Sequence, residues 1–214
     1  MLSLRLTEIF YSLQGEARYV GAPTVFIRLT GCPLRCVYCD SEYAFHGGQQ
    51  WSLDSILDKV AAYQTTYVCV TGGEPLAQPN CLPLLTLLCD KGYRVSLETS
   101  GAMDVAHVDE RVSIVMDLKG PSSGELNKNR LENIALLKSK DQIKFVIGDR
   151  ADYDWAAFKM DEYQLDSVVG DIWLSPSYQQ QDTAELAGWM LEDRLPARLQ
   201  IQLHKLIWGD VPGV

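Results

Sequence analysis

Gly31-Cys32-Pro33-Leu34-Arg35-Cys36-Val37-Tyr38-Cys39-Asp40-Ser41 is the stretch on which the reading of this chain turns. Three cysteines fall within eight residues in a C-x3-C-x2-C spacing, and a loop interrupted by Pro33 can curl their thiolates around one centre. Three soft sulfur donors suit an iron-sulfur cluster or zinc. A [4Fe-4S] cube normally takes four thiolates, so three local cysteines leave one iron open to another ligand. Zinc is the alternative, with His46 as its fourth donor.

Working outward, Thr24-Val25-Phe26-Ile27-Arg28-Leu29-Thr30 alternates with period two. Val25, Ile27 and Leu29 share one face of a strand, and Arg28 points to the other. The segment before it, 4–11, reads as extended and runs into a turn around Gln14-Gly15-Glu16, while Gly47-Gly48 closes the cysteine loop. Ser52 suits the N-cap of a helix over 52–63. Strand and helix then alternate: strand 67–70, helix 81–91 stopped by Gly92, strands 93–98 and 112–117, helix 129–138, strand 142–147, helix 152–163, strand 171–174, helix 183–192 and strand 198–203. Such alternation implies an α/β fold with a parallel sheet, covering helices and right-handed crossovers. The apolar strands give way at their C-terminal ends to Gly, Ser, Thr, Glu or Lys. In parallel β/α architectures these ends share one rim, where active sites gather.

The totals agree with a single domain over 1–214: 214 residues, 47% apolar and 22% charged. A formal net charge of -9 with no basic run disfavours nucleic acid as a direct substrate and favours a small molecule. No signal-peptide run opens the chain and no apolar stretch has bilayer-spanning length, so a cytoplasmic, non-membrane protein is expected. Of six cysteines, Cys69, Cys81 and Cys89 lie in apolar contexts and read as buried thiols rather than disulfides.

Further motifs follow in order: Leu13-Gln14-Gly15-Glu16, Phe26 to Cys32, Thr71-Gly72-Gly73-Glu74-Pro75, Glu98-Thr99-Ser100-Gly101 and Gln202-Leu203-His204-Lys205. With the cysteine spacing, they resemble the radical S-adenosylmethionine (SAM) superfamily and, within it, the 7-carboxy-7-deazaguanine synthase family. The similarity runs from about Thr7 to the last residue. It implies a partial, open (β/α)6-type barrel and a radical SAM ring-contracting lyase. The activity implied is conversion of 6-carboxy-5,6,7,8-tetrahydropterin to 7-carboxy-7-deazaguanine with release of ammonia, in queuosine-precursor biosynthesis. It also implies a [4Fe-4S] cluster on Cys32, Cys36 and Cys39, SAM, Mg2+ helped by Ser41, an electron donor such as flavodoxin, and a homodimer.

Residue by residue, the resemblance assigns substrate contacts to Leu13, Gln14, Gly15, Glu16, Arg28, Thr71, His204 and the terminal Val214. It assigns SAM contacts to Tyr38, Cys39, Asp40, Gly73, Glu74, Asp117, Leu118, Lys119 and Ser175, with Glu98, Thr99 and Ser100 as further rim candidates. Asp117-Leu118-Lys119 replaces the Ser-Pro-Lys of many members, so only the lysine carries over directly. The residue chemistry is compatible. Gly72-Gly73 at a strand end allows close backbone approach; Arg28 suits a carboxylate held bidentately; Mg2+ keeps waters and recruits ligand oxygens beyond a lone hydroxyl such as Ser41. Each also has a plainer reading: a strand-to-helix turn, a surface ion pair, a loop-closing hydrogen bond and, for His204, a satisfied core histidine. Two rival functions share the cysteines. A radical SAM activase acting on a partner protein predicts an exposed docking surface and no enclosed cavity. A zinc module predicts zinc without iron.

Overall fold

The computed structural model describes residues 2–213. Its strands are β1 Ser3–Leu13, β2 Pro23–Leu29, β3 Gln49–Ser52, β4 Tyr67–Gly72, β5 Arg94–Thr99, β6 Ser113–Leu118, β7 Gln142–Ile147, β8 Asp171–Pro176 and β9 Arg198–Leu199. Among the described residues they form one sheet in the order β3-β1-β2-β4-β5-β6-β7-β8-β9. From β2 through β9 every pairing is parallel, whereas β1 runs antiparallel to both β2 and β3. The two edge strands, β3 and β9, do not meet, so the barrel is open.

The period-two rule explains both faces of this sheet. Val25, Ile27 and Leu29 of β2, Val68 and Val70 of β4, Val95 and Leu97 of β5, Ile114, Met116 and Leu118 of β6, Ile143, Phe145 and Ile147 of β7, and Ile172 and Leu174 of β8 belong to one continuous apolar core. That outer face packs under helices α1 Leu53–Ala61, α2 Cys81–Asp90, α3 Arg150–Glu162, α4 Leu165–Val168 and α5 Thr183–Glu192. The intervening residues face inward: Phe26 and Arg28, Thr71, Glu98, Val115 and Asp117, Lys144 and Val146, and Ser175 all line one cavity. Strand register sets them side by side, with Arg28 beside Thr71, Glu98 beside Val115 and Asp117 beside Lys144.

Helix starts follow capping chemistry. Ser52 accepts from Ser55 N at 3.1 Å, Asp149 from Asp152 N at 2.9 Å and Asp182 from Glu185 N at 2.8 Å, each cap worth about 1 kcal/mol. The expected helix over 129–138 is instead two 3-10 turns, Leu126–Lys128 and Leu131–Leu136. Asparagine side chains hold this segment to neighbouring loops: Asn129 exchanges two 2.8 Å bonds with the Lys119 backbone, and Asn133 donates to the carbonyls of Gly101 and Met103. Such side-chain bonds compete with regular helix.

The last strand is also shorter than expected. It stops at Leu199, and Leu203 begins helix α6 Leu203–Trp208. The side chains of Gln200 and Gln202 turn to the β1–β2 loop, where both donate to Glu16. That loop bridges the open side of the barrel: Arg18 donates from Nε to Asp171 of β8 at 2.8 Å and from its backbone N–H to Gln142 Oε1 of β7 at 2.9 Å.

Candidate active site

The cavity, about 260 Å³, opens at the C-terminal ends of the parallel strands. Cys32, Cys36 and Cys39 all line it, half-buried and free of disulfides. The loop that carries them is tied down at several points. Leu34 N donates to Cys32 Sγ at 3.4 Å, Cys39 N to the Cys36 carbonyl at 3.2 Å, Val37 N to Ser123 O at 3.0 Å and Arg35 N to Glu125 Oε1 at 2.5 Å. Burial pushes the thiols of Cys32 and Cys36 up, the latter to about 11, while the Lys119 ammonium pulls Cys36 the other way. Thiols in that state lose protons on binding a metal, and a neighbouring cation favours the thiolate.

Two observations test whether this wall suits a cluster and a second ligand. A Cβ added at Gly73 would collide with the Gly31 carbonyl oxygen and lie 2.9 Å from Cys32 Cβ, so the Gly-Gly turn allows β4 to approach the cysteine loop. Tyr38 Oη and Asp117 Oδ1 are buried without a hydrogen-bond partner among the described residues. Buried polar atoms of native proteins are normally paired, so these two point to a ligand. The residues present therefore fit a thiolate-held cluster with a polar ligand beside it. His46 is exposed and outside the cavity lining. Among the described residues no three His, Cys, Asp or Glu side chains come together as a site for a single ion, so Ser41, which lines the cavity 3.9 Å from Cys39 Sγ, stands apart from any ready-made magnesium cage.

Most of the residues expected at the site converge. Leu13, Gln14, Gly15, Glu16, Arg28, Tyr38, Asp40, Ser41, Thr71, Gly73, Asp117, Lys119, Ser175 and His204 join the cysteines in lining the cavity. Glu74 and Leu118 do not. The Glu74 carboxylate is fully buried and turned into the β4 and β5 loops, where it accepts from Leu76 N, Thr99 Oγ1, Ser100 N and Ser100 Oγ at 2.5–3.0 Å. Leu118 lies on the outer face of β6 in the apolar core. Val214 lies outside the described residues, though residues 209–213 reach the cavity.

Arg28 donates from Nε to Glu8 Oε1 at 2.8 Å, and its guanidinium lies against the rings of Phe10 and Tyr43. An irregularity in the β1–β2 register places Glu8 opposite Arg28, and Tyr43 donates its hydroxyl to the same Glu8 oxygen at 2.9 Å. Across the cavity, Glu16 accepts from Lys144 at 2.8 Å and from Gln202 at 2.8 Å. Burial opposes its charge, but the Lys144 cation and these bonds hold Glu16 down at about 2. Glu98, reached by Thr71 Oγ1 at 3.1 Å and by Gln14 at 3.4 Å, is pushed up by burial and by the Glu16 charge. One wall thus carries a fixed anion and the next a carboxyl held above its ordinary range.

Sequence reasoning missed Lys144, Glu8 and Tyr43. Lys144 had a signal: it interrupts Ile143, Phe145 and Ile147, whose side chains are core, and so had to face inward.

A radical SAM superfamily profile matches residues 26–147, more than half of the chain. The chain is 42% identical to the 7-carboxy-7-deazaguanine synthase of Koribacter versatilis (strain Ellin345), over 96% of this chain and 97% of that one. It is equally similar, at 42%, to the synthase of the same name from Chlorobaculum tepidum, over 99% of this chain and 97% of its relative. This chain belongs to the 7-carboxy-7-deazaguanine synthase family. Its fold agrees: the crystal structure of QueE from Escherichia coli superimposes with a TM-score of 0.78 at 23% identity, covering 95% of this chain and 96% of that one. Membership makes the chain a radical SAM enzyme, and radical SAM enzymes of this family carry the cluster and SAM for which the cysteine wall is suited.

Proposed function

We propose that the chain converts 6-carboxy-5,6,7,8-tetrahydropterin to 7-carboxy-7-deazaguanine with release of ammonia, as a step of queuosine-precursor biosynthesis. The observation that carries the reading is the opening of three cysteines and Arg28 onto one cavity, in a chain whose near-full-length relatives bear that synthase's name. A cluster held by Cys32, Cys36 and Cys39 would, when bound, supply the electron that cleaves SAM to a radical that takes one hydrogen from the substrate and returns it after ring contraction, because product plus ammonia has the substrate's composition. The chain's own residues bind, orient and exclude water.

Arg28 commits Nε to Glu8, so its terminal nitrogens are the ones available to the substrate carboxylate. Gln14, Thr71 and Glu98 form an interlinked wall of donors and acceptors suited to the mixed edge of a pterin, with Leu13, Gly15, Glu16, His204 and Val214 completing that side. Tyr38, Cys39, Asp40, Gly73, Asp117, Lys119 and Ser175 serve SAM. For Glu74 the buried carboxylate supports an anchoring role, so any contact there uses its backbone; the same holds for Leu118. Ser41 lends its hydroxyl to Mg2+, which takes its remaining oxygens from substrate and water.

The continuous apolar core supports a single catalytic domain. Exposed Leu199, Ile201, Leu206, Ile207 and Trp208 around β9 and α6 support a homodimer. Three free cavity thiols suit a reducing cytoplasm, and no helix among the described residues is long and apolar enough to cross a membrane. A low-potential carrier such as flavodoxin would deliver the electron. The convergence of Gln14, Arg28 and His204 on one cavity favours a small substrate over a partner protein. The test is anaerobic incubation of reconstituted protein with SAM, reductant, Mg2+ and the carboxytetrahydropterin. Formation of 7-carboxy-7-deazaguanine is expected; SAM cleavage without that product would reject the substrate assignment.

A further inference from the structure

Lys144 is a largely buried cation to which the proposed chemistry gives no task. Its Nζ lies 2.8 Å from Glu16 Oε2 and 3.3 Å from Asp117 Oδ2. Glu16 belongs to the β1–β2 loop on the pterin side, and Asp117 to the end of β6 on the SAM side. The contacts continue from each. Glu16 accepts from Gln202 at 2.8 Å, and the same amide donates to Asp40 of the cysteine loop at 3.2 Å. Asp117 pairs with Lys119 at 3.1 Å.

A polar chain therefore leaves the cysteine loop at Asp40 and passes through Gln202, Glu16 of the β1–β2 loop and Lys144 to Asp117 and Lys119 at the end of β6. Lys144 is the link between the two halves. A second observation gives the arrangement a purpose. Both lysines bind Asp117 through Oδ2, and Oδ1 is left buried with no partner among the described residues. The carboxylate is fixed by one oxygen while the other is open to a ligand.

We propose that Lys144 is a positioning residue that sets the separation of the pterin and SAM bound in the cavity, a role that rests on the synthase reading above. Hydrogen transfer between two bound molecules needs its reacting atoms about 3–3.5 Å apart, and a displacement of about 1 Å costs roughly 10²-fold. Without the shared cation, Glu16 and Asp117 repel each other and the nearby Glu98, and the two walls lose their common strut. Both molecules still bind, more weakly, but hydrogen transfer between them fails.

The test compares wild type, Lys144→Met and Lys144→Arg. In reconstituted enzyme, 5′-deoxyadenosine and 7-carboxy-7-deazaguanine are quantified in the same samples. In protein without cluster, binding of the oxidised analogue 6-carboxypterin is followed by fluorescence quenching. For Lys144→Met, product should fall roughly 100-fold and 5′-deoxyadenosine by less than about tenfold, so their ratio shifts by at least about tenfold. Analogue binding should weaken about tenfold, as loss of one charge-assisted contact implies. Lys144→Arg should recover most of the ratio. Proportionate loss of both products in Lys144→Met, or the same ratio in Lys144→Arg as in Lys144→Met, overturns the proposal. Wild-type protein that forms no deazaguanine fails the synthase reading, and the proposal falls with it.

Discussion

Glu74→Ala should unfold the protein far more readily than its place beside the cavity suggests. The carboxylate is fully buried and gathers four donors: Leu76 N at 3.0 Å, Thr99 Oγ1 at 2.9 Å, Ser100 N at 2.7 Å and Ser100 Oγ at 2.5 Å. Alanine strands all four in a region where Thr99 and Ser100 are themselves buried. An unsatisfied buried donor costs about 1–3 kcal/mol, more when its partner was charged. Water entering the space left by the side chain recovers part of this, leaving roughly 4–6 kcal/mol. For a chain of this size about 1 kcal/mol shifts the melting temperature by roughly 2–4 °C, so a fall on the order of 10–20 °C is expected. Glu74→Gln keeps the shape and one acceptor oxygen but turns an amide N–H toward existing donors, so it should fall between wild type and alanine. The assay is thermal unfolding of cluster-free protein, which keeps ligand binding out of the measurement. A Glu74→Ala melt within about 2 °C of wild type would refute the anchoring role, because the cost would then be under about 1 kcal/mol.

Gly73→Ala drives a methyl group against the Gly31 carbonyl and Cys32 Cβ; overpacking of about 1–3 kcal/mol is expected, and anaerobic reconstitution should yield less iron and sulfide per chain than wild type. Arg28→Lys keeps the charge but loses the bidentate fork, so binding of 6-carboxypterin should weaken roughly 10–100-fold while SAM binding is unchanged. Glu16 has its folded pKa at about 2 against an ordinary 4.5. Its contribution is therefore present above pH 4.5 and lost as the pH falls toward 2, with an upper bound of about 3 kcal/mol. Glu16→Gln should flatten that acid limb in urea melts. Glu98, pushed up, contributes with the opposite sign, so the difference between mutant and wild type is the quantity to read.

The alternation of apolar strands with helices was legible because each strand carries its own periodicity: Gln142–Ile147 and Thr183–Glu192 were expected at the bounds observed. What failed was local pattern overruled by distant partners. The 129–138 segment has helix-compatible residues, but its asparagines bond to the Lys119, Gly101 and Met103 backbone. The strand expected over 198–203 stops early because Gln200 and Gln202 are claimed by Glu16, far away in sequence. At the site, motif order brought the cysteines, Arg28 and Thr71 to one cavity, but motif matching cannot tell whether a side chain or a backbone faces a ligand. The side chains of Glu74 and Leu118 turn away from the cavity, which leaves only their backbone to face a ligand. Lys144 and Glu8 escaped notice because each stands alone in an otherwise ordinary strand, and their meaning depends on Glu16, Asp117 and Arg28.

The claim beneath all of this is an iron-sulfur cluster held by Cys32, Cys36 and Cys39 with one iron left for SAM. The electron paramagnetic resonance spectrum of the reduced, anaerobically reconstituted protein, recorded before and after addition of SAM, addresses it directly. A cluster signal whose shape changes when SAM binds the open iron is the predicted result. A signal indifferent to saturating SAM, or zinc in place of any iron signal, would contradict the account.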